Sequence, residues 1–143
     1  AAGAHISIWD LATTRRTAKG VSGHSAPLTA MCVCAVPARG ARYLFTAAAD
    51  GSVRRWALDT MRPQQMVADA HAGAVTALVA TAAGELFSAS RDGTVKQWAP
   101  ESLACVATVT MTADVGTRNA VLDLCVAPHA AHHRHLYSTT EAG

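Results

Sequence analysis

The sequence predicts an all-β chain made of a repeated antiparallel unit, on three observations. The stretch Leu44-Phe-Thr-Ala-Ala-Ala-Asp-Gly-Ser-Val-Arg-Arg-Trp56 returns as Leu86-Phe-Ser-Ala-Ser-Arg-Asp-Gly-Thr-Val-Lys-Gln-Trp98. Aligned, Thr46 matches Ser88, Asp50 matches Asp92, Gly51 matches Gly93, Val53 matches Val95 and Trp56 matches Trp98. Each copy reads as a strand, an Asp-Gly turn and a second strand, which is a β-hairpin signal. Finally, Trp9 to Trp56 and His24 to His71 are both steps of 47 positions, and Trp56 to Trp98 is a step of 42. A kept register at such a period marks a repeat architecture.

Taken in order, His5 to Trp9 alternates with period two and ends at Asp10, matching Ser52 to Trp56 and Thr94 to Trp98. Trp9 is thus a third copy of the repeat tryptophan. Leu11 to Thr14 reads as a turn and Arg15 to Val21 as a polar outer strand, before Gly23-His24. Leu28 to Val36 is a dense apolar run that predicts a strand buried on both faces. Pro37 to Ala41 makes a hairpin loop. After the Leu44–Trp56 hairpin come a turn over Leu58–Pro63 and an outer strand over Gln64–Ala68, and Ala70-His71 takes the place of Gly23-His24. The cycle repeats with a buried strand at Val75–Ala80, a loop at Ala82–Gly84, the second hairpin and an outer strand at Ala104–Thr110. A third cycle opens with a buried strand at Val121–Val126 and a loop at Pro128–His135, and Leu136 to Gly143 aligns with Leu44 to Gly51.

Bulk composition fits this reading. Half of the 143 residues are hydrophobic and mean hydropathy is +0.17, which excludes a disordered chain. A net charge of +2 is too mild to argue for nucleic acid or an anionic membrane. No apolar run reaches the roughly 18–20 residues of a membrane span. Cys32, Cys34, Cys105 and Cys125 all fall in apolar strand-like runs. They are expected to be free, buried thiols in a reducing intracellular setting, cytoplasmic or nuclear. Cys32 and Cys34 would share a strand face, but no second pair stands at a matching spacing, so neither a metal nor a cofactor is expected.

Gly-His, a buried strand, a hairpin with Asp in its turn, and Trp (followed by Asp10 in the first copy) resemble the WD-repeat family of β-propellers. The resemblance spans essentially the whole chain and implies antiparallel four-stranded blades set around a channel. It also implies a hydrogen-bonded tetrad in each complete blade: His24, Thr46, Asp50 and Trp56, then His71, Ser88, Asp92 and Trp98. Their chemistry agrees: indole donates, hydroxyl accepts and donates onward, and neutral imidazole links the hydroxyl to the carboxylate. A Ser-His-Asp catalytic triad is disfavoured, because the hydroxyl is tied to Trp, no nucleophile elbow exists and the pattern occurs twice. Loss of either carboxylate is expected to cost on the order of 3 kcal/mol.

In the third cycle the His position falls on Thr117 and the Asp position on Ala142, leaving only Ser138, and the position six before Trp9 is Gly3. The expected organisation is an outer half blade over 1–22, complete blades over 23–69 and 70–111, and an inner half blade over 112–143. Such a set is an incomplete ring, expected to be a segment of a longer propeller chain, with self-assembly of copies as the second reading. Arg55 and Gln97, where the first copy has Ile8, are expected to reach a rim or, failing that, the channel. The cluster His129, His132, His133 and His135 is read as a solvated loop, and Arg15, Arg16 and Lys19 as a solvated outer strand.

The resemblance points to a non-catalytic protein-interaction scaffold within a larger complex. The face with the Gly-His and Asp-Gly loops would dock partners through Arg91, Ser25 and Ala72. An RNA-associated propeller in an RNA-processing or ribosome-related assembly is the alternative.

Overall fold

The computed structural model describes residues 5–21, 23–111, 119–128 and 134–141. Thr117, Ala142, Gly3, His129, His132 and His133 lie outside them, as does the side chain of Lys19. Twelve strands are present among the described residues: β1 (His5–Asp10), β2 (Arg15–Val21), β3 (Leu28–Val36), β4 (Ala41–Ala48), β5 (Val53–Ala57), β6 (Pro63–Val67), β7 (Val75–Ala80), β8 (Leu86–Ser90), β9 (Thr94–Ala99), β10 (Ala104–Thr110), β11 (Val121–Pro128) and β12 (Arg134–Thr140). They form two four-stranded antiparallel sheets, β3–β6 and β7–β10, flanked by the two-stranded sheets β1–β2 and β11–β12. The chain is all-β, in blades of the expected kind that make an incomplete propeller ring.

Alternation along each strand decides which blade touches which. On one face of the β3–β6 sheet, Phe45, Ala47 and Val53 pack against Val75, Leu78, Leu86 and Trp98 of the next sheet. The far side of that second sheet presents Ala77, Ala89 and Val95 to Val121 and Leu124. At the other end Ile6 of β1 packs on Leu44 and Trp56.

Here the buried-strand expectation needs correcting. β7 is covered on both sides, and only it behaves as expected. β3 alternates instead: Cys34 is buried while Met31 and Val33 are about half exposed. β11 likewise buries Val121 and Leu124 but exposes Leu122. An apolar run reports that a strand can be buried, and a neighbouring sheet decides whether it is. Cysteines follow the same rule. Cys34 is buried and Cys32 half-buried, whereas Cys105 and Cys125 are exposed, against the expectation of four buried thiols. Burial, and then the neighbouring Cys34, push the Cys32 thiol up to about 12.

The hairpin turns differ from a two-residue Asp-Gly turn. Gly51 N–H donates to the Ala48 carbonyl and Gly93 N–H to the Ser90 carbonyl, each at 3.2 Å. Among the turn residues only the glycines take positive φ, 81° at Gly51 and 80° at Gly93. Asp50 and Asp92 therefore close a type I turn and glycine supplies the left-handed step after it. A second regularity sits five residues past each repeat tryptophan: Thr14, Met61 and Leu103 all have φ near +50°. The turn after β1 thus shares its backbone geometry with the turns after β5 and β9.

Gly51 also meets the next blade, donating no Cβ to a space that has no room for one. A Cβ there would lie 2.3 Å from the His71 carbonyl oxygen. Gly40 has a similar positive φ of 61° but open space around it. Gly51→Ala is expected to cost clearly more than the roughly 1–2 kcal/mol of left-handed strain alone, and Gly40→Ala only that strain. Urea titrations of the two variants measure the difference; equal losses would mean the blade contact at Gly51 is not tight.

Candidate functional site

Both predicted tetrads assemble, by slightly different routes. In the first complete blade Trp56 Nε1 donates to Thr46 Oγ1 at 2.9 Å, and His24 Nε2 lies 2.9 Å from the same oxygen. With the His24 pKa lowered by burial, a neutral ring carrying its proton on Nδ1 accepts the threonine proton at Nε2, while the indole donates to the same oxygen. That leaves Nδ1–H of His24 to donate to Ser52 Oγ at 2.7 Å, and Ser52 in turn donates to Asp50 Oδ1 at 2.5 Å. In the second blade Trp98 Nε1 donates to Ser88 Oγ at 2.8 Å, and Ser88 lies 2.6 Å from His71 Nε2. His71 Nδ1 is 3.1 Å from Asp92 Oδ2 and 3.0 Å from Thr94 Oγ1, whose hydroxyl donates to Asp92 Oδ1 at 2.6 Å.

Ser52 and Thr94 were not singled out from sequence, although the signal was there. Each follows its Asp by two positions and each is a hydroxyl residue. Arg54 and Lys96 were missed in the same way. Arg54 Nη2 donates to the Gly23 carbonyl and Lys96 Nζ to the Ala70 carbonyl, both at 2.6 Å. Each base thus pins the loop just ahead of its histidine. Beside the first tetrad a cleft of about 410 Å³ opens, bounded by His24, Asp50, Arg54, Met66 and Asp69.

Charge states follow from these surroundings. Burial, then the nearby Arg54, lowers the His24 pKa against the pull of Asp50. Burial likewise lowers His71 against the pull of Asp92. Both imidazoles are therefore held neutral at neutral pH, which matches the hydrogen-bond directions assigned above. Burial pushes Asp50 up, but the Ser25 and Ser52 hydroxyls and the Ser52 N–H outweigh it and hold the carboxyl at about 2. Asp92 is lowered by the same balance, burial opposed by the Thr94 hydroxyl and N–H, His71 and the Ala72 N–H.

The sign of the pH dependence is fixed by these directions. As pH falls below the ordinary histidine value of 6.5, the unfolded chain binds protons that the native histidines refuse, so stability drops. The carboxylates add stability above their ordinary 3.8, and it is lost as pH falls through their lowered values, about 2 at Asp50. Melting temperature is expected to decline from pH 7.5 to 5, at up to about 1.4 kcal/mol per pH unit per histidine, and again below pH 4. A scan calorimetry series checks it; a flat line between pH 7.5 and 5 would contradict neutral native histidines.

The other candidates divide. Arg91 is exposed, with its backbone N–H tied to the Ala74 carbonyl at 3.0 Å. Ser25 is exposed but its hydroxyl donates to Asp50 Oδ2 at 2.6 Å, and the Ala72 N–H donates to Asp92 Oδ2 at 2.9 Å. Those two positions serve the polar networks, whereas the exposed Arg91 side chain makes no hydrogen bond or ion pair among the described residues. Arg55 reaches the turn that follows β9 in the next sheet. Its Nη1 donates to the Pro100 carbonyl at 3.0 Å and to that of Glu101, and its guanidinium lies 4.8 Å from the Tyr43 ring centroid. Gln65 Nε2 donates to the Ser102 carbonyl at 2.6 Å, and Arg39 pairs with Glu101 at 3.1 Å. One blade thus grips the 100–102 turn of the next. Arg15 and Arg16 are exposed on β2 as expected. His135 is exposed, its ring 6.2 Å from that of Tyr137.

Comparison with known proteins agrees with this geometry. The structure of U3-55K superposes with a TM-score of 0.66 at 24% identity, over 84% of this chain and 36% of that one. The crystal structure of RRP9 WD40 repeats gives 0.66 at 25% identity, over 84% and 35%. The chain thus spans little more than a third of each of these two structures. No curated protein sequence matches it. Among the described residues no helix is long and apolar enough to cross a membrane. The family model of the IP5P C-F beta-propeller matches residues 11–122, most of the chain, and the chain belongs to that WD-repeat-like β-propeller family.

Proposed function

We propose that this chain is a non-catalytic protein-interaction scaffold, acting as two whole blades, 23–69 and 70–111, with half blades on either side. Propellers of the WD40 kind are generally non-catalytic and serve interactions within larger complexes. The observation that carries the reading is the use made of the reactive side chains. Ser88 accepts from Trp98 and hands its own proton to His71, so the hydroxyl is part of a lock and offers no free nucleophile. What those locks hold in place is the face bearing the Gly23–Ser25 and Arg91–Gly93 loops. Rigid loops on a braced scaffold suit docking.

Arg91 is the anchor proposed on that face, since arginine is enriched at interaction hot spots. In a pull-down from cell extract, Arg91→Glu is expected to lose at least one partner that the wild type retains, with an unchanged melting temperature. Identical partner sets would remove Arg91 from the docking surface. The mild charge of +2 supplies no observation favouring RNA. RNA binding that falls steeply with salt would reverse that preference.

A further inference from the structure

The two locks are connected alike except at one oxygen. In each, the first carboxylate oxygen takes the hydroxyl and the N–H of the residue two positions on. Ser52 gives Asp50 Oδ1 these bonds at 2.5 and 3.0 Å, and Thr94 gives them to Asp92 Oδ1 at 2.6 and 2.9 Å. In each, imidazole Nε2 meets the strand hydroxyl to which the tryptophan donates. The second carboxylate oxygen is where they part. Asp92 Oδ2 accepts the Ala72 N–H at 2.9 Å and lies 3.1 Å from His71 Nδ1, which is also 3.0 Å from Thr94 Oγ1. Asp50 Oδ2 instead accepts the Ser25 hydroxyl at 2.6 Å, and His24 Nδ1 donates to Ser52 Oγ at 2.7 Å.

Ser25 and Ala72 hold the same place, directly after the histidine, and differ by that hydroxyl alone. An alcohol donating to a carboxylate makes a short, charge-assisted bond. Ser25 is exposed, so its bond draws Oδ2 outward: Asp50 is exposed, while the Asp92 side chain is only 9% exposed. Ala72 has no such donor, and the Asp92 oxygen stays over the loop N–H and the ring.

We infer that the Ser25 hydroxyl is a selector between two arrangements of the first lock. While it donates to Asp50, the carboxylate reaches His24 through Ser52. Once that proton is withdrawn, Asp50 Oδ2 turns onto His24 Nδ1, as Asp92 does on His71, and Oδ1 keeps both Ser52 bonds. Ser25 lies on the loop face proposed above for docking. An acceptor on a docked partner that takes the Ser25 proton would therefore close the lock beneath it, coupling the face to the blade interior. That consequence rests on the docking reading; the selector itself does not.

Long-range proton–nitrogen spectra of the imidazoles in the 143-residue chain, recorded at pH 8, test this. The His71 Nδ1 proton, shared with a carboxylate, is expected downfield of the His24 one. Ser25→Ala is expected to move the His24 proton most of the way to the His71 position, and Ser25→Thr, which keeps the hydroxyl, to leave it in place. Ala72→Ser is expected to move the His71 proton upfield towards that of His24. Residues 25 and 72 are both exposed, so the three variants are expected to melt cooperatively like the wild type. A His24 signal indifferent to Ser25→Ala overturns the inference and assigns the difference to the loop backbone, which has a φ of 62° at Gly23 but no positive φ at Ala70. A His71 signal indifferent to Ala72→Ser overturns it as well. Either failure leaves the docking reading standing, because the Arg91→Glu pull-down reads partners and not ring protons.

Discussion

Phe45→Ala is expected to cost about 4 kcal/mol, the largest loss from any single truncation discussed for this chain. Phe45 is fully buried in the middle of β4 and is the largest side chain so enclosed. It lies where the β3–β6 and β7–β10 sheets meet, among Ala47, Val53, Leu78, Leu86 and Trp98. Removing the ring forfeits its transfer free energy and leaves a void that two sheets, each pinned by its own hydrogen bonds, cannot collapse to fill. Val109→Ala is the control. Its side chain is half exposed on the outer strand β10, and its loss is expected to be within about 0.5 kcal/mol. Denaturant midpoints of the two variants decide the matter. A Phe45→Ala loss near that of the control would mean the seam between blades is not close-packed.

Asp92→Ala is expected to cost about 3 kcal/mol and Asp50→Ala markedly less. The two carboxylates are equivalent in the repeat, but their surroundings differ. Side chains of His71 and Asp92 are 0% and 9% exposed, and they touch directly. Deleting Asp92 removes the acceptor that the Thr94 hydroxyl and Thr94 N–H use in the interior, leaves His71 Nδ1 only its contact with Thr94 Oγ1, and frees the more exposed Ala72 N–H. Asp50 is exposed, and Ser52 stands between it and His24 in the hydrogen-bonded path, so water can replace much of what the carboxylate accepts. Melting temperatures of both variants, compared at pH 7, check the order. Equal losses would restore the equivalence that the repeat alone suggests.

The alignment of the two copies made the fold legible, together with the four tetrad positions of each, because hydrophobic alternation and a fixed period are local properties of the chain. The difference between Asp50 and Asp92 was not legible, since it depends on how closely a histidine approaches. Nor was the exposure of Met31 and Val33, which sit in a run as apolar as that of β7 but lack a sheet over one face. The partners of Arg55 were not legible for a similar reason. A long cation in a strand reads as bound for water, while its acceptors, the carbonyls of Pro100 and Glu101, are 45 and 46 positions away in the chain. Ser52, Thr94, Arg54 and Lys96 could have been found, because their recurrence was in plain view.

The grip of Arg55, Gln65 and Arg39 on residues 100–102 makes the joint between adjacent units directional and particular to this pair. Gln97, which takes the Arg55 position one unit later, is shorter and carries no charge, so the joint cannot simply be duplicated further along. Units of this protein are therefore not interchangeable bricks: splicing in an extra copy or reordering them would mate surfaces that lack each other's clasps.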